Sequence, residues 1–449
     1  MNIISLIDIP MNQLYLPKTT KLLNAVIDLP GSKSIANRVL PLAAFANGVS
    51  IIHNVPDVGE DVQLMLEALK ELGIKIVKLS TAENNCSSYQ VTGCNGNLSV
   101  KNAELFLGNS GTSIRFLSAM LALCDGEYLL TGIKRMKERP IADLINCLSL
   151  LGCKINFIES KGFPPIKTTP FKDALIPEIT ISGKVSSQYL SGMLMALPLL
   201  KREVVIRITD ELISRPYVDI TLALLAKFGV QSVEVETNVF KILPKQSYQA
   251  IEYAVEPDAS SASYFLAIAA LTGKVQINNL SENSLQGDKN FATVLAKMGA
   301  RVNYSHDHII CESANKLNGV IVNMEDMPDV AMTIAVIAPF ANSKTIIYGI
   351  SSWKVKETDR LAAIYTELTK LGVEVEYTDD SISIQPIQQI RENIAIDTYN
   401  DHRMAMCFSL IALHAGVIIN NPECVGKTFA NYFNLYKNYT GKKICYLTV

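Results

Sequence analysis

A segment of about 75 residues recurs six times along this chain, and the recurrence limits the possible folds more than any other feature. Five stretches, LEALKELGIKI, INCLSLLGCKI, LALLAKFGVQS, VLAKMGARV and TELTKLGVEV, each combine an amphipathic helical pattern, a glycine suited to the left-handed position past a helix end, and a strand-like run. Their glycines, Gly73, Gly152, Gly229, Gly299 and Gly372, follow one another at 79, 77, 70 and 73 residues, and a weaker copy, LYKNYTGKKI, puts Gly441 another 69 on. A second series interleaves with the first: SKSIANRVLPLAAFA, GTSIRFLSAMLALC, SSQYLSGMLMALPLL, DASSASYFLAIAAL, PDVAMTIAVIAPFA and DHRMAMCFSLIAL. Each opens on polar, helix-capping residues and continues apolar on most faces, the pattern of a helix buried on all sides. Its markers Ser34, Thr112, Ser187, Ser260, Asp329 and His402 are spaced 78, 75, 73, 69 and 73 apart. With strand-like runs such as VVIRIT, GVEVEYT and SISIQP between the helices, the expected class is α/β. Six buried helices are too many for one core, so two domains of three units are expected.

Composition narrows the partners. The 449 residues carry 41 basic and 43 acidic side chains, a net charge of −2, so no global field draws in nucleic acid or membrane. No apolar run approaches the roughly 18 residues that span a bilayer. The opening MNIISLIDIPMNQLYLPKTTK has neither signal-peptide nor transit-peptide character, which predicts the cytoplasm. Nine cysteines show no CxxC and no zinc-ligand spacing, so they are expected as reduced core residues, Cys147 and Cys153 on or beside an amphipathic helix. His306 and His308 in SHDH are expected in a solvated turn rather than at a metal.

The chemistry concentrates where the buried helices begin. LPGSKSIANR, residues 29–38, has the look of a phosphate cradle, but Val26 stands where a P-loop needs its first glycine. VGKT at 425–428 fails in the same way at Asn421. A helix N-terminus binds anions without being a nucleotide site. If the three helices of each domain run parallel, their positive ends face one cleft. Around those ends stand Lys33, Arg38, Arg115, Arg139, Lys356, Arg360, Arg403 and Lys427. Arg38, Arg115 and Arg403 are expected in first turns of helices too apolar to hold an idle charge, and Lys356 and Arg360 one helical turn apart on one face. Nearby acids are Asp329, Glu357, Asp359 and Asp401. Two of them could serve as general acid and general base, while Asp359 and Asp401 are expected as ion-pair partners. Pro41 is expected to kink its helix or end it early.

LPGSKSIANR, LFLGNSGTSIR, RMKERPI, VSSQYLSGMLMALPL, SRPYVDITL, EPDASSASYFLAIAAL, QGDKNFATVLAKMGA, KVKETDRL and YNDHRMAMCFSLIAL stand in this order between Leu29 and Tyr432. Together they resemble the 5-enolpyruvylshikimate-3-phosphate synthases, enolpyruvyl transferases of the shikimate pathway. The resemblance implies two domains, 1–31 with 256–449 and 32–255, each of three βαβαββ units with buried parallel helices, joined by two crossovers. It implies transfer of the enolpyruvyl group of phosphoenolpyruvate to the 5-hydroxyl of shikimate 3-phosphate by a monomer without metal or cofactor, closing around its substrates.

Carried over by position, Lys33, Ser34, Arg38, Ser186, Ser187, Gln188, Ser214, Tyr217, Asp329, Ser352 and Lys356 would bind shikimate 3-phosphate. Lys33, Asn109, Gly111, Thr112, Arg115, Arg139, Gln188, Arg360, Arg403 and Lys427 would bind phosphoenolpyruvate. Asp329 would be the base on the 5-hydroxyl, assisted by Lys356, Glu357 the acid at the methylene carbon, and Lys33 and His402 further catalytic groups. Phe116 stands where the family usually has proline, which leaves the response to the inhibitor glyphosate open, and Ser352 stands where many members have asparagine. A UDP-N-acetylglucosamine enolpyruvyl transferase, which uses a cysteine acid, and a non-catalytic anion-binding homologue are the competing readings.

Overall fold

Each repeat folds as its hydrophobic period dictates. The interleaved series forms six helices: α1 (Lys33–Phe45), α2 (Gly111–Leu121), α3 (Ser187–Ala196), α4 (Ala259–Thr272), α5 (Pro328–Ile337) and α6 (His402–Phe408). Every α4 residue from Ala259 to Ala270 is buried. In this computed structural model, residues 12–19, 23–82, 86–172, 176–314, 316–441 and 445–447 are described. Residues 1–11 and 20–22 of the segment read for targeting signals, and 442–444 of the last glycine copy, lie outside the described residues.

The α2 unit serves as the pattern. Strand Asn102–Phe106 leads through α2 to the parallel strand Glu127–Thr131, then through helix Ala142–Leu150 to an antiparallel pair, Ile155–Phe157 and Ile166–Thr168. Alternation turns Tyr128 and Leu130 inward. Six four-stranded sheets form among the described residues, three of them from consecutive strands in this βαβαββ order. The amphipathic helices end as expected, with Gly73, Gly152, Gly229, Gly299, Gly372 and Gly441 all at positive φ between 68° and 103°.

Sheets around α1–α3 enclose one core and sheets around α4–α6 the other. Buried polar pairs tie neighbouring helices: Asn37 Nδ2 donates to Thr112 Oγ1 at 2.8 Å, and the Ser263 and Thr333 hydroxyls lie 3.0 Å apart. At Gly192 an added Cβ would stand 3.1 Å from the Arg115 carbonyl oxygen, so α3 approaches α2 closely only without a side chain there. Pro41 neither ends α1 nor shortens it, because the helix runs on to Phe45. Burial of Ile35–Phe45 on all sides outweighs the lost backbone bond.

Three units are completed by a strand from a distant part of the chain. Gln13–Leu16 inserts between Val417–Asn420 and Cys445–Leu447, antiparallel to both. Leu23–Ile27 pairs with Gly273–Asn278, and Glu252–Ala254 with Val49–Val55. The chain therefore crosses between the halves twice, and the crossings are bonded side by side. Ser32 N–H donates to the Glu256 carbonyl at 2.7 Å, and Asp258 N–H to that of Pro30 at 2.9 Å. Between them, a Cβ on Gly31 would lie 2.0 Å from the Asn54 carbonyl oxygen, a position only glycine can fill.

Among the described residues no group of three or more His, Cys, Asp or Glu could hold a metal ion, and no helix is long and apolar enough to cross a membrane. Cys147 and Cys153 are buried free thiols. His306 sits exposed in a turn, and His308 opens the strand His308–Glu312.

Candidate active site

The first turns of five buried helices line one cavity between the halves. Lys33 and Ser34 come from α1, Thr112 from α2, Ser187 and Gln188 from α3, Asp329 from α5, and His402 and Arg403 from α6. α4 stands just behind, where Ser260 Oγ accepts from Arg403 Nη2 at 3.3 Å. Neither Ser32 nor Ser110 caps its helix through the side chain, so the N–H groups that open α1 and α2 stay available beside the cavity.

The cations divide by partner. Arg360 is held by Asp401 at 2.8 Å, Glu357 at 2.9 Å and Asp329 at 3.0 Å. Asp329 also meets Arg403 at 3.0 Å and Lys356 at 3.3 Å. Lys33 and Lys427 share Asp61, each at 3.1 Å, and Lys427 lies 3.9 Å from Glu357. Arg38, Arg115 and Arg139 pair with no carboxylate among the described residues and are satisfied only by neutral groups. Arg38 donates to Thr221 Oγ1 at 2.8 Å and to the Ser34 carbonyl at 2.7 Å, with the Phe116 ring 4.9 Å from its guanidinium. Arg115 donates to the Gly111 and Pro140 carbonyls, and Arg139 to the Asn109 carbonyl and side chain. Burial pushes Arg38 and Arg115 down to about 10. The Nε atoms of Arg115 and Arg139 have no acceptor. Buried cations without a counter-charge define where an anion gains most.

Eight cationic side chains thus face the four carboxylates Asp61, Asp329, Glu357 and Asp401. Burial alone would raise the Asp329 carboxyl, but Arg403, Lys356 and Arg360 hold it well below the ordinary range. Glu357 is buried too, and Arg360, Arg139 and Lys427 keep it low. Burial, reinforced by Arg403, keeps His402 neutral, and neither of its ring nitrogens has a hydrogen-bond partner. Behind Asp329, the buried Asp288 is pushed up to about 7 by burial and by the charge of Asp329. Ser260 Oγ donates to Asp288, and the Tyr217 hydroxyl lies 3.5 Å from both Asp288 and Asp329.

All but three of the residues expected to bind substrate or act in catalysis line this cavity, including Ser186, Ser214 and Ser352. Asn109, Gly111 and Lys427 stand behind its wall. The Asn109 carbonyl accepts from Lys427 at 2.8 Å and from Arg139 at 2.9 Å, and Asn109 and Lys427 line a neighbouring cavity with Gln63 and Asn421. At Gly111 a Cβ would stand 2.6 Å from Arg139 Nη2 and 2.7 Å from Arg115 Nη1, so the missing side chain lets two guanidinium groups converge.

Three expectations are corrected. Lys356 and Arg360 share no helical face: Lys356 follows the 3-10 turn Ser351–Val355, and Arg360 begins the helix Arg360–Lys370. Asp329 brings them together instead. Asp359 is the cap of that helix, accepting from Ala362 N–H at 3.2 Å, rather than an ion-pair partner. Arg38 lies in the second turn of α1 and Arg115 in the second turn of α2, not in the first turns, and only Arg403 stands where expected. Sequence reasoning also missed Asp61 and Asp288. An acid in a first helical turn, as Asp61 is in Glu60–Glu71, reads locally as a dipole partner, and only the fold brings Lys33 and Lys427 to it.

A pocket with surplus positive charge, opposing helix N-termini and the two carboxylates Asp329 and Glu357 suits the binding of multiply charged anions and proton transfer between them. The family model for EPSP synthase (3-phosphoshikimate 1-carboxyvinyltransferase) matches residues 17–435. A 3-phosphoshikimate 1-carboxyvinyltransferase from Haemophilus influenzae is 46% identical over 428 residues, covering 93% of this chain and 96% of the relative. One from Erwinia tasmaniensis is 47% identical over 417 residues, covering 92% and 95%. The solved EPSP synthase of Acinetobacter baumannii superposes with a TM-score of 0.80 at 24% identity, over 97% of this chain and 100% of that one. The enolpyruvyl transferase NikO of Streptomyces tendae shares the fold at 0.74 and 16% identity, over 98% and 100%. Fold, motif order and identity over nearly the whole length agree, and the chain belongs to the EPSP synthase family.

Proposed function

We propose that this chain transfers the enolpyruvyl group of phosphoenolpyruvate to the 5-hydroxyl of shikimate 3-phosphate and releases inorganic phosphate. The observation that carries this reading is Asp329, a carboxylate ringed by Arg403, Lys356 and Arg360 in a cavity where Arg38, Arg115 and Arg139 lack counter-charges. In the chemistry that follows, Asp329 takes the proton of the 5-hydroxyl as its oxygen bonds to C2 of phosphoenolpyruvate. Glu357, which takes up a proton from solvent once phosphoenolpyruvate draws on the charge of Arg360 and Arg139, gives that proton to the C3 methylene. In the second half Glu357 takes a proton back from the methyl group, the bond from C2 to the phosphate oxygen breaks, and the leaving phosphate carries away the proton held by Asp329.

Without ligands the surrounding cations make Asp329 a poor base. Once phosphoenolpyruvate shares Arg360 and Arg403, that restraint weakens, so binding readies the base. Ser34, Arg38, Ser186, Ser187, Gln188, Ser214, Tyr217 and Ser352 hold shikimate 3-phosphate. Thr112, Arg115 and Arg139 hold phosphoenolpyruvate, backed by Asn109, Gly111 and Lys427. Lys33 bridges the two ligands, and neutral His402 supports Glu357. The bodies that close are 32–255 and the rest of the chain. The enzyme works as a cytoplasmic monomer without a metal or cofactor.

The test is phosphate release from phosphoenolpyruvate with shikimate 3-phosphate, with UDP-N-acetylglucosamine as the rival acceptor. Release with shikimate 3-phosphate that falls by about a thousandfold in Asp329→Ala is expected. Release only with the sugar nucleotide, or with neither, overturns the reading.

A further inference from the structure

Arg135 opens the 3-10 turn Met136–Glu138 in the α1–α3 half and reaches across to the other half. Its Nε donates to the Glu357 carbonyl at 3.1 Å and its Nη2 to the Lys356 carbonyl at 3.0 Å, while Nη1 pairs with Glu138 at 3.1 Å. The two carbonyls belong to the irregular turn between Ser351–Val355 and Arg360–Lys370, and among the described residues neither accepts from a main-chain N–H. Within its own half, the turn is pinned by Trp353, whose indole N–H donates to the Pro328 carbonyl at 2.7 Å, next to Asp329. The segment bearing Lys356 and Glu357 thus hangs between an anchor on its own side and a guanidinium from the opposite side. The planar fork of an arginine suits two adjacent acceptors in a way that the single charge of a lysine does not.

We propose that Arg135 is a positioning residue, a latch that fixes the Lys356–Glu357 turn only when the two halves meet, so that closure itself completes the acid. This rests on the enolpyruvyl-transfer reading for its kinetic readout. The α1–α3 half offers its own groups to shikimate 3-phosphate, including Ser186, Ser187 and Ser214, so the latch bears on turnover rather than on capture of that substrate.

Arg135→Ala and Arg135→Lys test it, with Glu138→Gln as the control that removes only the in-half partner. Trp353, the single tryptophan, reports on the turn without turnover, through its emission on titration with shikimate 3-phosphate and inorganic phosphate. Arg135→Ala is expected to lower kcat by about tenfold or more with KM for shikimate 3-phosphate within about threefold, to blunt the Trp353 response, and to melt as the parent does. Arg135→Lys falls between, and Glu138→Gln stays within about twofold of the parent. Parental kcat and an unaltered Trp353 response in Arg135→Ala overturn the latch. So does a loss of kcat that follows a loss of melting temperature and that Arg135→Lys does not relieve. A parent without turnover overturns the enolpyruvyl-transfer reading instead, and the Trp353 titration then decides the latch by itself.

Discussion

Single residues in the cavity are constrained by charge and by space, and Gly111 feels both. A methyl group there would press on the guanidinium tips of Arg139 and Arg115, which can swing away but then leave their places. Gly111→Ala is expected to raise KM for phosphoenolpyruvate by about tenfold or more, the cost of one displaced charge-assisted bond, with kcat changed less. Steady-state kinetics with each substrate varied in turn decides it, and equal effects on both KM values would contradict the argument. The cations here were legible in the sequence because a charge at the head of an apolar helix is conspicuous. Asp61 and Asp288 were not, since their meaning depends on Lys33, Lys427 and Asp329, which only tertiary folding brings near.

At the scale of the element, helix ends carried the clearest signals. Glycines past the amphipathic helices were readable because only an achiral residue takes the left-handed turn cheaply. KVKETDR misled because its spacing fits a helix, whereas Asp359 starts the helix only after itself. Two aspartates at helix starts now separate by burial. Asp359→Ala removes an exposed cap, an expected loss of about 1 kcal/mol, with turnover nearly intact. Asp401→Ala removes the cap of α6 and also a wholly buried partner of Arg360, an expected loss of about 3 kcal/mol or more. Thermal melts of the two variants should therefore differ clearly, and equal shifts would mean that Arg360 is adequately neutralised by Asp329 and Glu357.

For the molecule as a whole, the six-fold recurrence was plain from periodicity, but the two crossings were expected only from family resemblance. No local pattern says that Gln13–Leu16 pairs with Val417–Asn420. Whole-molecule stability also carries a proton-linked term. Asp288 holds its proton in the folded chain up to about pH 7, against an ordinary value of 3.8. As pH rises through that window the unfolded chain releases a proton that the folded chain keeps, so this group lowers stability progressively and its full cost stands above pH 7. Asp288→Asn keeps an acceptor for Ser260 without the charge. It is expected to melt about 2 °C or more above the parent at pH 8, with the gap closing toward pH 4. A gap independent of pH would sink the assignment.

The borrowed strands also order events during synthesis. Strands of the three sheets around α1–α3 all lie between residues 49 and 254, so that half can finish as soon as its own stretch has left the ribosome. Gln13–Leu16 and Leu23–Ile27 emerge earlier still, yet their partners arrive only with Gly273–Asn278, Val417–Asn420 and Cys445–Leu447. Gln13–Leu16, the first of the described strands, is thus among the last to be paired. A nascent chain therefore carries unsatisfied apolar edges ahead of a finished half through most of its translation, and these are natural holding points for a chaperone.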